Sequence, residues 1–232
     1  MIPAGPWTVE QQRRAAAARA VEEVTDGMVV GLGTGSTAAL AIEALGARVA
    51  AGLRITSIPT SERSAALATR LGIPLTDFAA HRGLDLTIDG ADEVEPRELG
   101  LIKGRGGALL REKIVAAASA RMIVVVDESK LVPHLGARGM LPVEIVAFGW
   151  QTVLERIAQE GLAPTLRSAG AEPFVTDGGN YIADCAIETL SDPATLDAQL
   201  AGIVGVVETG LFLGLASAVI VGRSTGVEVL ET

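Results

Sequence analysis

Three times in the first half of this chain an apolar run leads into a glycine-punctuated loop. Residues 28–32 run into Gly31-Leu32-Gly33-Thr34-Gly35-Ser36-Thr37, and residues 84–88 into Asp89-Gly90-Ala91-Asp92-Glu93. The third loop, Gly104-Arg105-Gly106-Gly107, follows Ile102-Lys103 and opens into Ala108-Leu109-Leu110-Arg111-Glu112-Lys113. Short, near-continuous apolar runs that do not alternate with polar residues suit strands buried on both faces. Helical periodicity fills the intervals between such runs. Helices are expected over residues 8–25, 36–50, 61–71 and 106–120. Strands are expected over 28–32, 53–58, 73–75, 84–88 and 122–126. That alternation restricts the first half to a doubly wound parallel sheet covered on both faces, with the three loops gathered at one edge of the sheet.

Past residue 130 the rhythm changes. A strand over 141–148, a helix over 150–160, strands over 163–167 and 180–188, a helix over 193–203 and a strand over 206–212 spell β-α-β-β-α-β. Two short strands, 216–221 and 226–230, remain to rejoin the first sheet. The expected architecture is α/β: a doubly wound Rossmann-like parallel-sheet domain on residues 1–132 and 213–232, with a smaller ferredoxin-like α+β domain on residues 133–212.

Composition narrows the function. The 232 residues carry a formal charge of −9 without a basic stretch, which argues against nucleic acid or an anionic membrane as the main partner. No cationic segment followed by an apolar one stands at the N-terminus, and the longest uncharged apolar run, residues 210–222, is too short to span a bilayer. The expected setting is the cytoplasm. The single cysteine, Cys185, lies in a strand-like run and reads as packing. The two histidines, His81 and His134, lack metal-ligand spacing, which argues against a zinc site.

The loops themselves carry the chemistry. Gly33, Gly35 and the helix after them offer backbone N–H groups to an anion, with Thr34, Ser36 and Thr37 as added hydroxyl donors. Ser36 stands where a dinucleotide fingerprint has its third glycine, and no lysine adjoins it as in a P-loop. A small phosphate ester therefore suits the loop better than NAD or ATP. Asp89 and Asp92 fall just past a strand's carboxyl end, where open α/β sheets bind ligands, and suit sugar hydroxyls or proton movement. Lys103 precedes the third glycine loop. Glu112 has Ala108, Leu109, Val115 and Ala116 at helical spacing, so partial burial would favour its neutral form and fit it for general base work. Lys130, after residues 122–126, is a second cation at a strand end.

Together these loops resemble ribose-5-phosphate isomerase of the A type. Asp127-Glu128-Ser129-Lys130, Leu141-Pro142-Val143-Glu144, Val175-Thr176-Asp177-Gly178-Gly179-Asn180 and Gly205-Val206-Val207-Glu208-Thr209-Gly210-Leu211-Phe212 extend the resemblance over nearly the whole chain, in order. It implies interconversion of ribose 5-phosphate and ribulose 5-phosphate without metal or organic cofactor, by a homo-oligomer, commonly a dimer and in some cases a tetramer. It further implies that Glu112 moves the proton between C2 and C1 through an enediolate, and that Asp89 and Asp92 contact the sugar and assist ring opening. The substrate-binding set it implies is Thr34, Gly35, Ser36, Thr37, Asp89, Gly90, Ala91, Asp92, Lys103, Gly104, Arg105, Gly106 and Lys130. Arg105 stands where many members have glycine. Arg13 and Arg14 stand about where some have a substrate-facing lysine. Two other readings share parts of the pattern: an amino-sugar phosphate deaminase, with a similar sheet and substrate type, and a phosphosugar-sensing regulator, for whose usual helix-turn-helix the short acidic N-terminus leaves no room.

Overall fold

The computed structural model describes residues 6–187 and 190–231. Glu188, expected at the end of a strand, lies outside the described residues, as do residues 1–5 and Thr232 at the ends of the expected larger domain.

The chain begins with α1 (Val9–Val21), whose N-terminus is closed by a reciprocal Thr8–Gln11 capping box. There follow β1 (Val29–Leu32), α2 (Ser36–Ala50), β2 (Thr56–Pro59), α3 (Glu62–Arg70) and β3 (Leu86–Asp89). A hairpin, β4 (Glu93–Glu95) and β5 (Gly100–Ile102), precedes α4 (Leu109–Ala117), β6 (Met122–Asp127) and a 3-10 turn, Glu128–Lys130. Next come β7 (Met140–Ile145), α5 (Trp150–Gln159), β8 (Ala163–Leu166), the two-residue pair β9 (Ser168–Ala169) and β10 (Glu172–Pro173), β11 (Tyr181–Ala186), α6 (Pro193–Ala201) and β12 (Val206–Thr209). The chain closes with β13 (Leu211–Phe212), β14 (Ala218–Arg223) and β15 (Gly226–Glu231).

Six strands form the main sheet in the order β15-β14-β6-β3-β1-β2, parallel except for the edge strand β15. Side-chain alternation sorts its apolar residues into two cores. Ile123, Val125, Ala218 and Ile220 pack with Val30, Ile88, Leu45 and the alanines of α1. Met122, Val124, Val126, Val219 and Val221 pack on the other face with Ala116, Leu101 and Phe212. Both faces are covered, which is why the strands read as unbroken apolar runs. From β1 the chain winds outward to β2 and then back across to β3 and β6, so the winding reverses between β1 and β3. A crevice opens at such a reversal, beyond the carboxyl ends of the strands.

Between β6 and β14 the chain forms a second, antiparallel sheet in the order β12-β7-β11-β8, with α5 and α6 packed on it. With β7, β8, β11 and β12 counted as first to fourth, that order is 4-1-3-2, the ferredoxin-like arrangement.

Three local expectations are corrected. Residues 206–212 are two strands in two sheets: β12 pairs with β7, and β13 pairs with β5 in a three-stranded sheet β13-β5-β4. Gly210 makes the break, and a Cβ there would lie 2.4 Å from the Lys103 carbonyl oxygen. The helix expected over 106–120 begins only at Leu109, because Gly107 takes a positive φ of 78°. Residues 73–75 form no strand and touch the sheet edge through a single Ser57–Leu75 bridge.

Candidate active site

The three glycine loops meet where the winding reverses. One cleft is lined by Thr34, Gly35, Ser36 and Thr37 from the β1–α2 loop, and by Gly90, Ala91 and Asp92 from the loop after β3. Lys103, Gly104, Gly106 and Glu112 come from around the third loop, and Lys130 from the turn after β6. Of the residues named from sequence, Asp89 and Arg105 do not line it. Asp89 lies wholly buried behind the wall. Arg105 is exposed, and its backbone N–H donates to Asp92 Oδ2 at 3.0 Å. Larger hollows occur elsewhere, and one, bordered by Leu190, Thr195 and Gln199, contains neither lysine nor arginine.

The β1 and β3 loops touch because Gly33 has no side chain: a Cβ there would lie 2.2 Å from the Asp89 carboxylate. Asp89 Oδ1 accepts the N–H groups of Thr34 at 3.0 Å and Gly90 at 2.7 Å. Its other oxygen faces the Lys103 ammonium at 3.0 Å. Lys103 also donates to the Gly90 carbonyl at 2.5 Å and stands 3.4 Å from Glu112 Oε2. Lys103 and Glu112 are each only 2% exposed. The lysine is therefore the shared counter-ion of two buried carboxyl groups. Burial disfavours its charge, but Asp89 and Glu112 together outweigh that, and its pKa moves up. For Glu112 burial wins: desolvation raises the carboxyl to about 8, against the opposing pull of Lys103 and with added repulsion from Asp89. Burial also moves Asp89 upward. Asp89 Oδ2 and Glu112 Oε2 both face the Lys103 ammonium and have no other donor beside them among the described residues.

Opposite this group, α2 starts at Ser36 with no side-chain cap on its first N–H groups. The unpaired leading N–H groups of such a fifteen-residue helix are donors of the kind that suit an anion. The Thr34 hydroxyl, expected as a donor into the site, is turned inward instead. It lies 2.7 Å from the Thr60 hydroxyl, 2.8 Å from Ser61 and 3.3 Å from Ser64. Ser64 in turn donates to the Gly33 carbonyl at 2.7 Å, and Thr60 to the Leu32 carbonyl at 3.0 Å. The sequence reading missed these three residues. The signal for Thr60 and Ser61 was positional: they follow Pro59, the last residue of β2, the parallel neighbour of β1, so their loop had to abut the glycine loop.

Arg13 and Arg14 separate cleanly. Arg13 Nε pairs with the buried Asp127 at 2.7 Å, and Nη1 reaches Ser36 Oγ at 3.5 Å. Burial would raise the Asp127 carboxyl, but hydrogen bonds from Ser129 and Arg13 outweigh it and hold it below its ordinary value. Arg14 points to solvent and pairs with Glu10. Half-buried Lys130 has its pKa lowered, chiefly by burial. Among the described residues no three His, Cys, Asp or Glu side chains cluster as metal ligands. No helix among them is long and apolar enough to cross a membrane.

The arrangement offers donors suited to an anion, a raised carboxyl beside an ammonium, and a further carboxylate, Asp92, on the cleft wall. Comparison with known proteins bears on the chain as a whole. Residues 56–226 match the family described as ribose 5-phosphate isomerase A (phosphoriboisomerase A). The chain is 56% identical over 218 residues to ribose-5-phosphate isomerase A of Gloeobacter violaceus, covering 94% of this chain and 95% of that one. It is 51% identical to the Thermomicrobium roseum protein of the same name, covering 96% and 94%. Among solved structures, ribose 5-phosphate isomerase A from Methanocaldococcus jannaschii superposes with a TM-score of 0.92 at 39% identity, over 97% of this chain and 100% of that one. A D-ribose-5-phosphate isomerase in complex with phospho-erythronic acid superposes at 0.93 and 38% identity, with the same coverage.

Proposed function

We propose a division of labour within the cleft from one premise: the chain belongs to the ribose 5-phosphate isomerase A family and is an aldose–ketose isomerase interconverting D-ribose 5-phosphate and D-ribulose 5-phosphate. The reaction moves a proton from C2 to C1 and passes through an enediolate. It needs a base that can take and return one proton, a cation beside the oxygens that gain charge, and a grip on the phosphate.

Glu112 is the base. Its carboxylate takes the C2 proton and returns it to C1. Lys103, 3.4 Å from that carboxyl, offsets charge developing on the substrate oxygens. The leading N–H groups of α2, with Ser36 and Thr37, hold the phosphate, and Arg13 and Lys130 add positive charge at its rim. Asp92 binds sugar hydroxyls from the cleft wall. Asp89, behind the wall, fixes Lys103 and the Thr34 amide, and Asp92, which lines the cleft, is the carboxylate placed to take a hydroxyl proton in ring opening. Gly90, Ala91, Gly104 and Gly106 shape the walls, and Arg105 borders the mouth. The observation that carries this assignment is the buried Glu112 carboxyl beside Lys103, across the cleft from an uncapped helix N-terminus. The ligand of the related complex supports it, since a phosphorylated sugar acid joins a phosphate to a planar anionic group like that of an enediolate.

No metal is needed in this scheme, because the Lys103 ammonium stands between Asp89 and Glu112, where a bridging cation would sit. The enzyme works in the cytoplasm as a homo-oligomer, a dimer or a pair of dimers. The deciding experiment is solvent-proton exchange at C2 of ribose 5-phosphate, followed beside a coupled isomerase assay. Exchange and turnover should both collapse in Glu112→Gln, and their survival would move the base to Asp89 or Asp92.

A further inference from the structure

The loop that delivers Lys103 and Glu112 is held from outside the cleft by the smaller unit. Arg167, just after β8, makes a two-pronged ion pair with Asp184 of β11, through Nε at 2.8 Å and Nη2 at 2.5 Å. This fixes the plane of its guanidinium. The remaining nitrogen, Nη1, donates to two backbone carbonyls of the glycine loop, Gly104 at 2.9 Å and Arg105 at 3.2 Å. Phe174 completes the clamp. Its ring centroid lies 5.8 Å from the guanidinium carbon, and its edge fills the space beside Gly107, where a Cβ would approach within 2.4 Å. Arg167 does not line the cleft, and its side chain is 14% exposed.

The consequence for the loop is geometric. In a trans peptide the N–H points opposite to the C=O. With the Arg105 carbonyl drawn toward Arg167, the Gly106 N–H points away from the clamp, and Gly106 itself lines the cleft. Among the described residues that N–H meets no protein acceptor. The neighbouring Arg105 N–H is held by Asp92, and the Gly107 N–H by the Gly104 carbonyl at 3.0 Å.

We propose that Arg167 is a positioning residue of the isomerase: by holding the Gly104 and Arg105 carbonyls outward, it turns the Gly106 N–H toward the substrate oxygens and sets the entry of α4 that carries Glu112. The inference rests on the assignment of Lys103 and Glu112 as catalytic. A misplacement of about 1 Å at a reacting group costs on the order of 10²-fold in rate.

The test compares Arg167→Met, Arg167→Lys and Asp184→Asn in the full chain, measuring kcat, KM and Tm. Arg167→Met should lose about 10- to 100-fold in kcat. Its KM should stay near normal, because the phosphate grip on α2 is untouched. Arg167→Lys should fall between, since an ammonium cannot serve Asp184 and both carbonyls at once. Added guanidinium at sub-denaturing concentration should restore part of kcat to Arg167→Met, an effect a general loosening of the fold would not produce. Should Arg167→Met fail to fold, Asp184→Asn, which keeps the guanidinium but frees its anchor, carries the same kcat-against-KM comparison. Near-normal kcat in the folded variants, or a loss that guanidinium leaves unchanged, would overturn the proposal. Glu112→Gln separates this from failure of the underlying assignment: a Glu112→Gln enzyme with normal turnover refutes the site, whatever Arg167 does.

Discussion

Glu112 is where sequence, burial and chemistry meet in a single side chain. Its apolar helical neighbours hinted at desolvation, and the structure supplies the other half, a shared ammonium and a second buried carboxylate. Glu112→Gln preserves shape and hydrogen bonding, and kcat should fall about 10²–10⁴-fold, the usual value of a general base. Because the free carboxyl titrates near 8, kcat/KM should rise with pH through about 8 as Glu112 ionises, and this limb should vanish in the glutamine variant. The measured value belongs to the whole Asp89–Lys103–Glu112 group rather than to one residue. The same shift has a stability sign. The folded pKa is raised above the ordinary 4.5, so the unfolded chain gives up this proton first and folding stability is lost as pH rises from about 4.5 to about 8. The Tm of Glu112→Gln minus that of the parent enzyme should therefore grow across that window and level off above it. Calorimetry showing a flat or falling difference would contradict the raised carboxyl.

At the scale of elements, the sequence was most legible where a helix or strand follows local rules. The helix expected over 36–50 is α2 to the residue, because Gly35 and the alanine- and leucine-rich run define both ends locally. What the sequence hid was decided by partners distant in the chain. The short strands β4 and β5 went unseen, since they become strands only by pairing with each other and with β13. The inward turn of Thr34 was hidden likewise, because its partners Thr60, Ser61 and Ser64 arrive from the loop after the neighbouring strand and the first turn of α3. That hydroxyl cluster yields a prediction. Ser64→Ala strands the buried Gly33 carbonyl and loosens the loop that opens α2, at a cost of about 1–3 kcal/mol. KM for ribose 5-phosphate should rise more than kcat falls, because the phosphate grip is disturbed while Glu112 is not. A Ser64→Ala enzyme with unchanged KM would show that the hydroxyls serve stability alone.

For the molecule as a whole, the acidic surface and the anionic substrate pull in opposite directions. A formal charge of −9 repels a sugar phosphate at long range, so binding must rest on the local donors of the cleft rather than on the overall field. Chelation should accordingly leave turnover intact, since the positive charge at the reacting centre is the buried Lys103; loss of activity that a divalent ion restores would refute this. The same net charge governs association of copies. Two chains of like charge repel beyond contact, so a homo-oligomer is expected to rest on apolar contact that outweighs the repulsion, and large exposed side chains are available for it: Phe148 is 94% and Val204 81% exposed in the smaller unit. Salt shortens the reach of the repulsion to about 10 Å at 0.1 M, while apolar attraction does not weaken. Light scattering at assay concentration should therefore give at least twice the 23.8 kDa chain mass, with association strengthening as salt rises from low values. An active species of single-chain mass at every salt concentration would rule out the oligomer. An oligomer that dissociates on adding salt would keep it but place ion pairs, rather than apolar surface, at its interface.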